Sequence, residues 1–169
     1  MIKWIGVILI VGACGFCGFS MAGSYGELER CLRQLYSAME IMRCQMEYRL
    51  TPLPELCQIL SAACTGSIGK VFADLNRELE KADSGEAAVC MADALANNPQ
   101  LPQPCVKSLR RLGATLGKTD LQTQLRGVTL EMEQVRMCLE QVVRERPGRV
   151  KSYRALGLCC GAALAILLL

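Results

Sequence analysis

Two uncharged stretches, one at each end of a charge-rich chain, constrain this sequence more than any motif in it. Residues 4–23 run for twenty positions without Asp, Glu, Lys or Arg, and residues 155–169 are equally free of them. Twenty residues of helix, rising about 1.5 Å each, span the roughly 30 Å hydrocarbon core of a bilayer. Counted from Lys151, with Arg154 reaching back to the interface, the second stretch is also long enough. The organisation read from the chain is therefore a membrane helix over 1–23, a central domain over 24–150 and a second membrane helix over 151–169.

An alternative for the first stretch is a cleaved lipoprotein leader, because Val11-Gly12-Ala13-Cys14 resembles its processing box. The apolar run continues past Cys14 through Phe16, Phe19 and Met21, longer than the about 7–15 residues a leader needs, which favours a retained anchor. Arg144, Arg146, Arg149, Lys151 and Arg154 crowd the approach to the second stretch. Positive charge collects on the cytoplasmic side of a membrane, so the central domain is expected to be cytoplasmic and both termini outside it. Between Glu27 and Glu145 there are 14 Lys/Arg against 16 Asp/Glu, so the basic cluster is a local feature of the membrane surface. Aromatic residues total only 5% and no basic stripe carries them, which argues against a nucleic-acid partner.

The middle reads as helix throughout. Leu28, Leu32, Leu35, Met39, Met42 and Met46 are spaced alternately four and three apart, one apolar seam along a helix. Thr51-Pro52-Leu53-Pro54 ends it, since proline removes a backbone donor and disfavours helix in the residue before it. Short helices follow from Pro54 to about Cys64, over 68–81 with Val71, Leu75 and Leu79 on one face, over 86–96, and over 105–116. Breaks fall at Thr65-Gly66-Ser67, at Asp83-Ser84-Gly85, at Asn97-Asn98-Pro99 with Pro102 to Pro104, and at Gly117-Lys118-Thr119-Asp120. Thr119 or Asp120 is placed to cap the last helix. Its seam is Leu121, Leu125, Val128, Met132, Val135, Leu139 and Val142, and it is expected to reach at least Glu145 before Pro147-Gly148. The fold class is all-α: an antiparallel bundle of about six helices flanked by two transmembrane helices, the seams serving as its own core.

Conventional catalysis finds few residues here. The chain has no histidine, which removes Ser-His-Asp and Cys-His arrangements and imidazole metal ligands. Of 11 cysteines, Cys14 and Cys17 fall in the first apolar stretch and Cys159 and Cys160 in the second. Cys31, Cys44, Cys57, Cys64, Cys90, Cys105 and Cys138 stand singly, without the paired spacing of a zinc site, and read as small apolar side chains kept reduced in the cytoplasm. Gly66-Ser67-Ile68-Gly69-Lys70 lacks the spacing of a phosphate-binding loop, while Gly12, Gly15 and Gly18 would let another helix approach the first span. Glu131 and Glu133, like Glu78 and Glu80, are two apart, do not share a helix face, and read as solvated surface. No catalytic residue, cofactor, metal or small-molecule substrate is expected. The charged region that stands out is Arg110-Arg111 with Lys118, Asp120 and Gln124, a candidate docking surface for a partner protein. The competing classes are a membrane-anchored thiol enzyme and the lipoprotein noted above.

Over the full chain the sequence resembles the stage III sporulation protein AB family of endospore-forming bacteria. The residues that carry the likeness are the Met1-Ile2-Lys3-Trp4-Ile5-Gly6 start, Met46-Glu47-Tyr48-Arg49-Leu50-Thr51-Pro52-Leu53-Pro54-Glu55, and Leu112-Gly113 with Leu116-Gly117-Lys118-Thr119-Asp120 and Gln124. The basic approach to the C-terminal stretch adds to it, whereas 83–104 match in pattern only. The resemblance implies a bundle like the cytoplasmic domain of type II secretion F proteins, membrane platforms on which a secretion ATPase acts. It further implies a non-enzymatic component of the channel complex between mother cell and forespore, in the mother-cell membrane facing the forespore. Its expected partners are a secretion-type ATPase, other sporulation channel proteins and the lipid bilayer.

Overall fold

The computed structural model describes the backbone of residues 2–49, 51–81, 86–116 and 120–168, and the side chains of 25–49, 51–81, 86–116, 120–146 and 148. Six helices account for nearly all of it: α1 Ile2–Tyr48, α2 Leu53–Ala63, α3 Gly66–Lys81, α4 Ala87–Ala96, α5 Gln103–Thr115 and α6 Leu121–Leu168. Among the described residues there is no strand, so the all-α bundle expected from the periodicity is what forms. The expected membrane helices fall on residues whose side chains lie outside the described set, as do Gly12, Gly15, Gly18, Cys14, Cys17, Cys159, Cys160, Arg149, Lys151 and Arg154. The turns at 82–85 and 117–119 lie outside it too. Among the described residues no helix is long and apolar enough to cross a membrane.

Prolines set two of the boundaries. Pro52 and Pro102 occupy the positions before α2 and α5 with φ near −58°, and Pro54 and Pro104 sit in the first turns, where a missing N–H leaves nothing unsatisfied. At Thr65-Gly66 the chain reverses direction locally through Gly66 at φ 69°, a left-handed conformation open to glycine. Pro147-Gly148 behaves differently from the expectation: α6 runs through both without a break. An interior proline removes one hydrogen bond and crowds one carbonyl, a local penalty of about 3 kcal/mol that the helical turns on both sides outweigh.

Packing divides the chain into two compact units, Met1–Glu29 with Glu140–Leu169, and Arg30–Leu139. Within the first, Arg146 Nη1 donates to Glu29 Oε2 at 2.6 Å and Val142 is buried. The second unit holds the core. Its α1 contributes Leu32, Leu35, Met39, Met42 and Met46, all buried, and its α6 contributes Val128, Met132 and Val135. The heptad seams are thus interior surface, with Leu125 and Leu139 half-buried and Leu121 more exposed. Short helices pack in sequence, α2 on α3, α3 on α4 and α4 on α5. Ile68, Val71, Phe72 and Leu75 of α3 are fully enclosed, Leu79 only partly.

Two glycines let helices close in. A Cβ on Gly113 of α5 would stand 2.6 Å from the Met91 Cβ of α4, and one on Gly127 of α6 would collide with the Thr115 methyl of α5. The Leu112-Gly113 motif is therefore a helix-helix contact rather than a chemical site. Gly69 has the same role between α3 and the end of α2, where a Cβ would strike the Cys64 carbonyl oxygen.

Asn98, in the connection after α4, is buried, and its Nδ2 donates to Asp74 Oδ2 at 2.8 Å and to the Ala94 carbonyl at 2.9 Å. It fixes the connection to α3 through a charge-assisted bond, the stronger kind. Asn98→Ala is expected to destabilise the protein by about 1–2 kcal/mol, since among the described residues Asp74 then keeps the exposed Arg77 as its ion-pair partner. Chemical denaturation of the variant checks this; a change below about 0.3 kcal/mol contradicts it.

Candidate docking site

α5 carries Lys107, Arg110 and Arg111 and no acidic residue. The spacing of i, i+3 and i+4 puts all three on neighbouring surface, and all three are exposed. Its opposite face explains why they point outward: Cys105, Leu109 and Leu112 are fully buried against the core.

The residues expected to form one docking surface make different local contacts. Arg110 is exposed, whereas Arg111 turns its Nε onto Glu131 Oε1 of α6 at 2.9 Å. Asp120 caps α6: the Thr123 N–H donates to Asp120 Oδ2 at 3.4 Å. Bonds from Thr123, its side chain first, hold the Asp120 carboxyl below the ordinary carboxylate range. Its contribution is present at neutral pH and is lost as pH falls through that lowered range. Gln124 is half-buried on the first turn of α6, with its backbone N–H on the Asp120 carbonyl at 3.1 Å. Lys118 lies outside the described residues.

Glu131 corrects the expectation that it is solvated surface. It is 5% exposed and accepts from Ser108 Oγ at 2.9 Å as well as from Arg111. Glu133 is exposed, so the two carboxylates do lie on different faces. A signal for Glu131 was present in its position, three after Val128 and four before Val135, inside the apolar stripe.

The pair sits beside a groove of about 300 Å³ with Leu32, Pro104, Val135 and Cys138 as apolar wall and Lys107 and Arg111 at its edge. A second, more open groove of about 640 Å³ lies along α1 and α6, where Arg43 and Arg126 accompany Glu47 and Glu133 around the exposed Leu130. The first is one-signed in charge, the second balanced.

The cysteines are not all isolated, as their scattered numbering implied. Cys31 of α1 accepts a hydrogen bond from the Cys105 thiol of α5, and Cys138 of α6 lies close enough to act on Cys105 electrostatically. Donation to Cys31 together with burial pushes the Cys105 thiol up, while the same bond lowers Cys31. Burial also raises Cys64 and Cys138, and takes Cys57 up to about 12. All seven described cysteines are free thiols, and among the described residues no group of three or more Cys, Asp or Glu could hold a metal ion.

A thiolate nucleophile needs exposure and a lowered pKa together. Cys31, the described thiol that is lowered, is buried. Alkylation of the folded protein is expected to modify Cys44 first, Cys64 and Cys138 more slowly, and Cys57 and Cys105 last. Peptide mapping over time measures the order; Cys57 or Cys105 reacting as fast as Cys44 contradicts it.

With the bundle and its grooves described, comparison with known proteins is informative. A structure of Stage III sporulation protein AB superimposes with a TM-score of 0.65 at 21% identity, covering 72% of this chain and 98% of the other. At that identity the likeness establishes the fold. Stage III sporulation protein AB of Bacillus subtilis (strain 168) is 26% identical over 172 residues, covering 100% of both chains. The sequence profile described as Stage III sporulation protein AB (spore_III_AB) matches residues 3–169, almost the whole chain, and the chain therefore belongs to that family of sporulation proteins.

Proposed function

We propose that this sporulation protein is a non-enzymatic platform, held in the mother-cell membrane by its two uncharged ends, whose bundle docks a secretion-type ATPase and other members of the channel complex. The observation that carries the reading is the length of α1 and α6. Each begins or ends in an uncharged stretch and continues without a helical break, as 47 and 48 residues, into the seam of the bundle. The basic residues between bundle and C-terminal stretch suit a cytoplasmic face against anionic headgroups. Absence of histidine and the burial that raises the Cys57, Cys90 and Cys105 thiols support a scaffold over a thiol enzyme.

The test is co-purification. Full-length protein, tagged and solubilised from membranes of sporulating cells, is expected to retain a secretion-type ATPase identified by mass spectrometry. Recovery in the soluble fraction, or recovery from membranes without any sporulation protein, contradicts the proposal. An intact Met1 in the membrane fraction separates it from the lipoprotein reading, which requires cleavage before Cys14.

A further inference from the structure

We infer that the groove bounded by α1, α5 and α6 seats an acidic, amphipathic helical segment of a partner protein, with an apolar side chain in the groove and carboxylates on Lys107 and Arg111. This rests on the docking reading above and assigns it a face and a partner chemistry. Leu32 and Val135, almost fully buried, and the half-buried Pro104 and Cys138 form the apolar part of the wall, with Gln103, Ser108 and Gln134 as uncharged polar lining. A space of about 300 Å³ is at the small end of sites for discrete ligands and matches one or two protruding side chains.

Charge decides what kind of segment fits. α5 carries three cations and no anion, and Lys107 is exposed with no carboxylate paired to it among the described residues. The nearby carboxylate, Glu131, is buried and already engaged by Ser108 and Arg111, so it repels little at the groove edge. Arg111 gives Glu131 its Nε, and a guanidinium has five N–H donors, which leaves its half-exposed fork able to take a second carboxylate. Helix-in-groove recognition combines these elements: apolar anchors at i and i+4 with charges flanking them. The second groove lacks the asymmetry, because Arg43 and Arg126 are matched there by Glu47 and Glu133.

The experiment uses full-length protein in neutral detergent and a fluorescein-labelled helical peptide of about five turns with leucines on one face and glutamates beside them, read by fluorescence anisotropy. Saturable binding is expected, about tenfold weaker for Lys107→Glu and for Cys138→Phe, which fills the groove without changing charge, and unchanged for Arg43→Glu. Circular dichroism verifies folding; should Cys138→Phe unfold, Lys107→Glu at its exposed position decides alone. No saturable binding, equal binding by Lys107→Glu, or equal binding of a glutamate peptide lacking leucines overturns the inference. In the co-purification, an ATPase retained equally by Lys107→Glu also overturns it while leaving the platform reading intact. Recovery of wild-type protein from membranes without any sporulation protein removes the platform reading, and the peptide titration then still decides whether the groove binds acidic segments.

Discussion

Phe72→Ala is expected to remove about 3–5 kcal/mol of folding stability, the range for deleting a fully enclosed phenylalanine. Phe72 is 0% exposed and heads the fully buried side chains of the bundle by volume. It stands in α3, the helix that packs on both α2 and α4, so the space it vacates lies between three elements. Relaxation into that space is restricted. Gly69 already holds α3 against the end of α2 as closely as backbone contact allows, and Asn98 ties the connection after α4 to Asp74 of α3. The cavity term thus adds to the lost transfer energy rather than collapsing away. Against a typical domain stability of about 5–15 kcal/mol, that is a large share of the total, and the variant should unfold at a much lower denaturant concentration. Denaturant titration of Phe72→Ala beside Phe72→Leu measures the effect. A loss below about 1 kcal/mol for alanine contradicts the enclosed position of this ring.

Arg111→Ala is the second large effect, about 3 kcal/mol. Removing the guanidinium leaves the Glu131 carboxylate, 5% exposed, with the Ser108 hydroxyl as its hydrogen-bond donor. Breaking a buried pair from one side costs about 3–5 kcal/mol because the stranded charge stays desolvated. The lower end applies, since the Arg111 side chain is itself 54% exposed and water can approach from its side. The sign of the argument is checked by the double variant. Arg111→Ala with Glu131→Gln keeps an acceptor for Ser108 without a charge, and it should recover most of the loss. If the double variant is no more stable than Arg111→Ala, the penalty does not come from the stranded carboxylate.

Much of the bundle was legible because its helices obey periodicities that a sequence displays directly. Leu32 to Met46 and Val128 to Val135 repeat at the heptad spacing, and each residue named there is buried. The proline pairs at 52/54 and 102/104 mark helix starts through a local effect, which needs no tertiary information. Glu131 was misplaced because an i, i+2 comparison with Glu133 says the two differ in face without saying which face is interior. Its partner Ser108 carries the same signature, three after Cys105 and four before Leu112. Polar residues inside an apolar stripe identify each other only when the helices are brought together.

The thiol group of Cys31, Cys105 and Cys138 was hidden for a related reason. Its members belong to α1, α5 and α6, separated by 74 and 33 positions in the chain, and no local spacing rule links them. Pro147 marks the opposite failure, a local rule applied too strictly: one missing donor did not end a helix with stable turns on both sides. The candidate docking residues combined both difficulties. Asp120 serves as a cap and Arg111 gives its Nε to Glu131, while Lys107, which was not singled out, lines the groove together with Arg111.

The proposed platform works by holding other sporulation proteins. It is tested most directly by photo-crosslinking in living sporulating cells, with a photoreactive amino acid placed in turn at the exposed positions Tyr48, Arg110 and Leu130 of the full-length chain. Adducts that contain a secretion-type ATPase or another channel protein are expected, strongest from position 110 on the basic face of α5. Protein present in the membrane fraction at normal abundance, yet forming no protein adduct from any of the three positions, would contradict it.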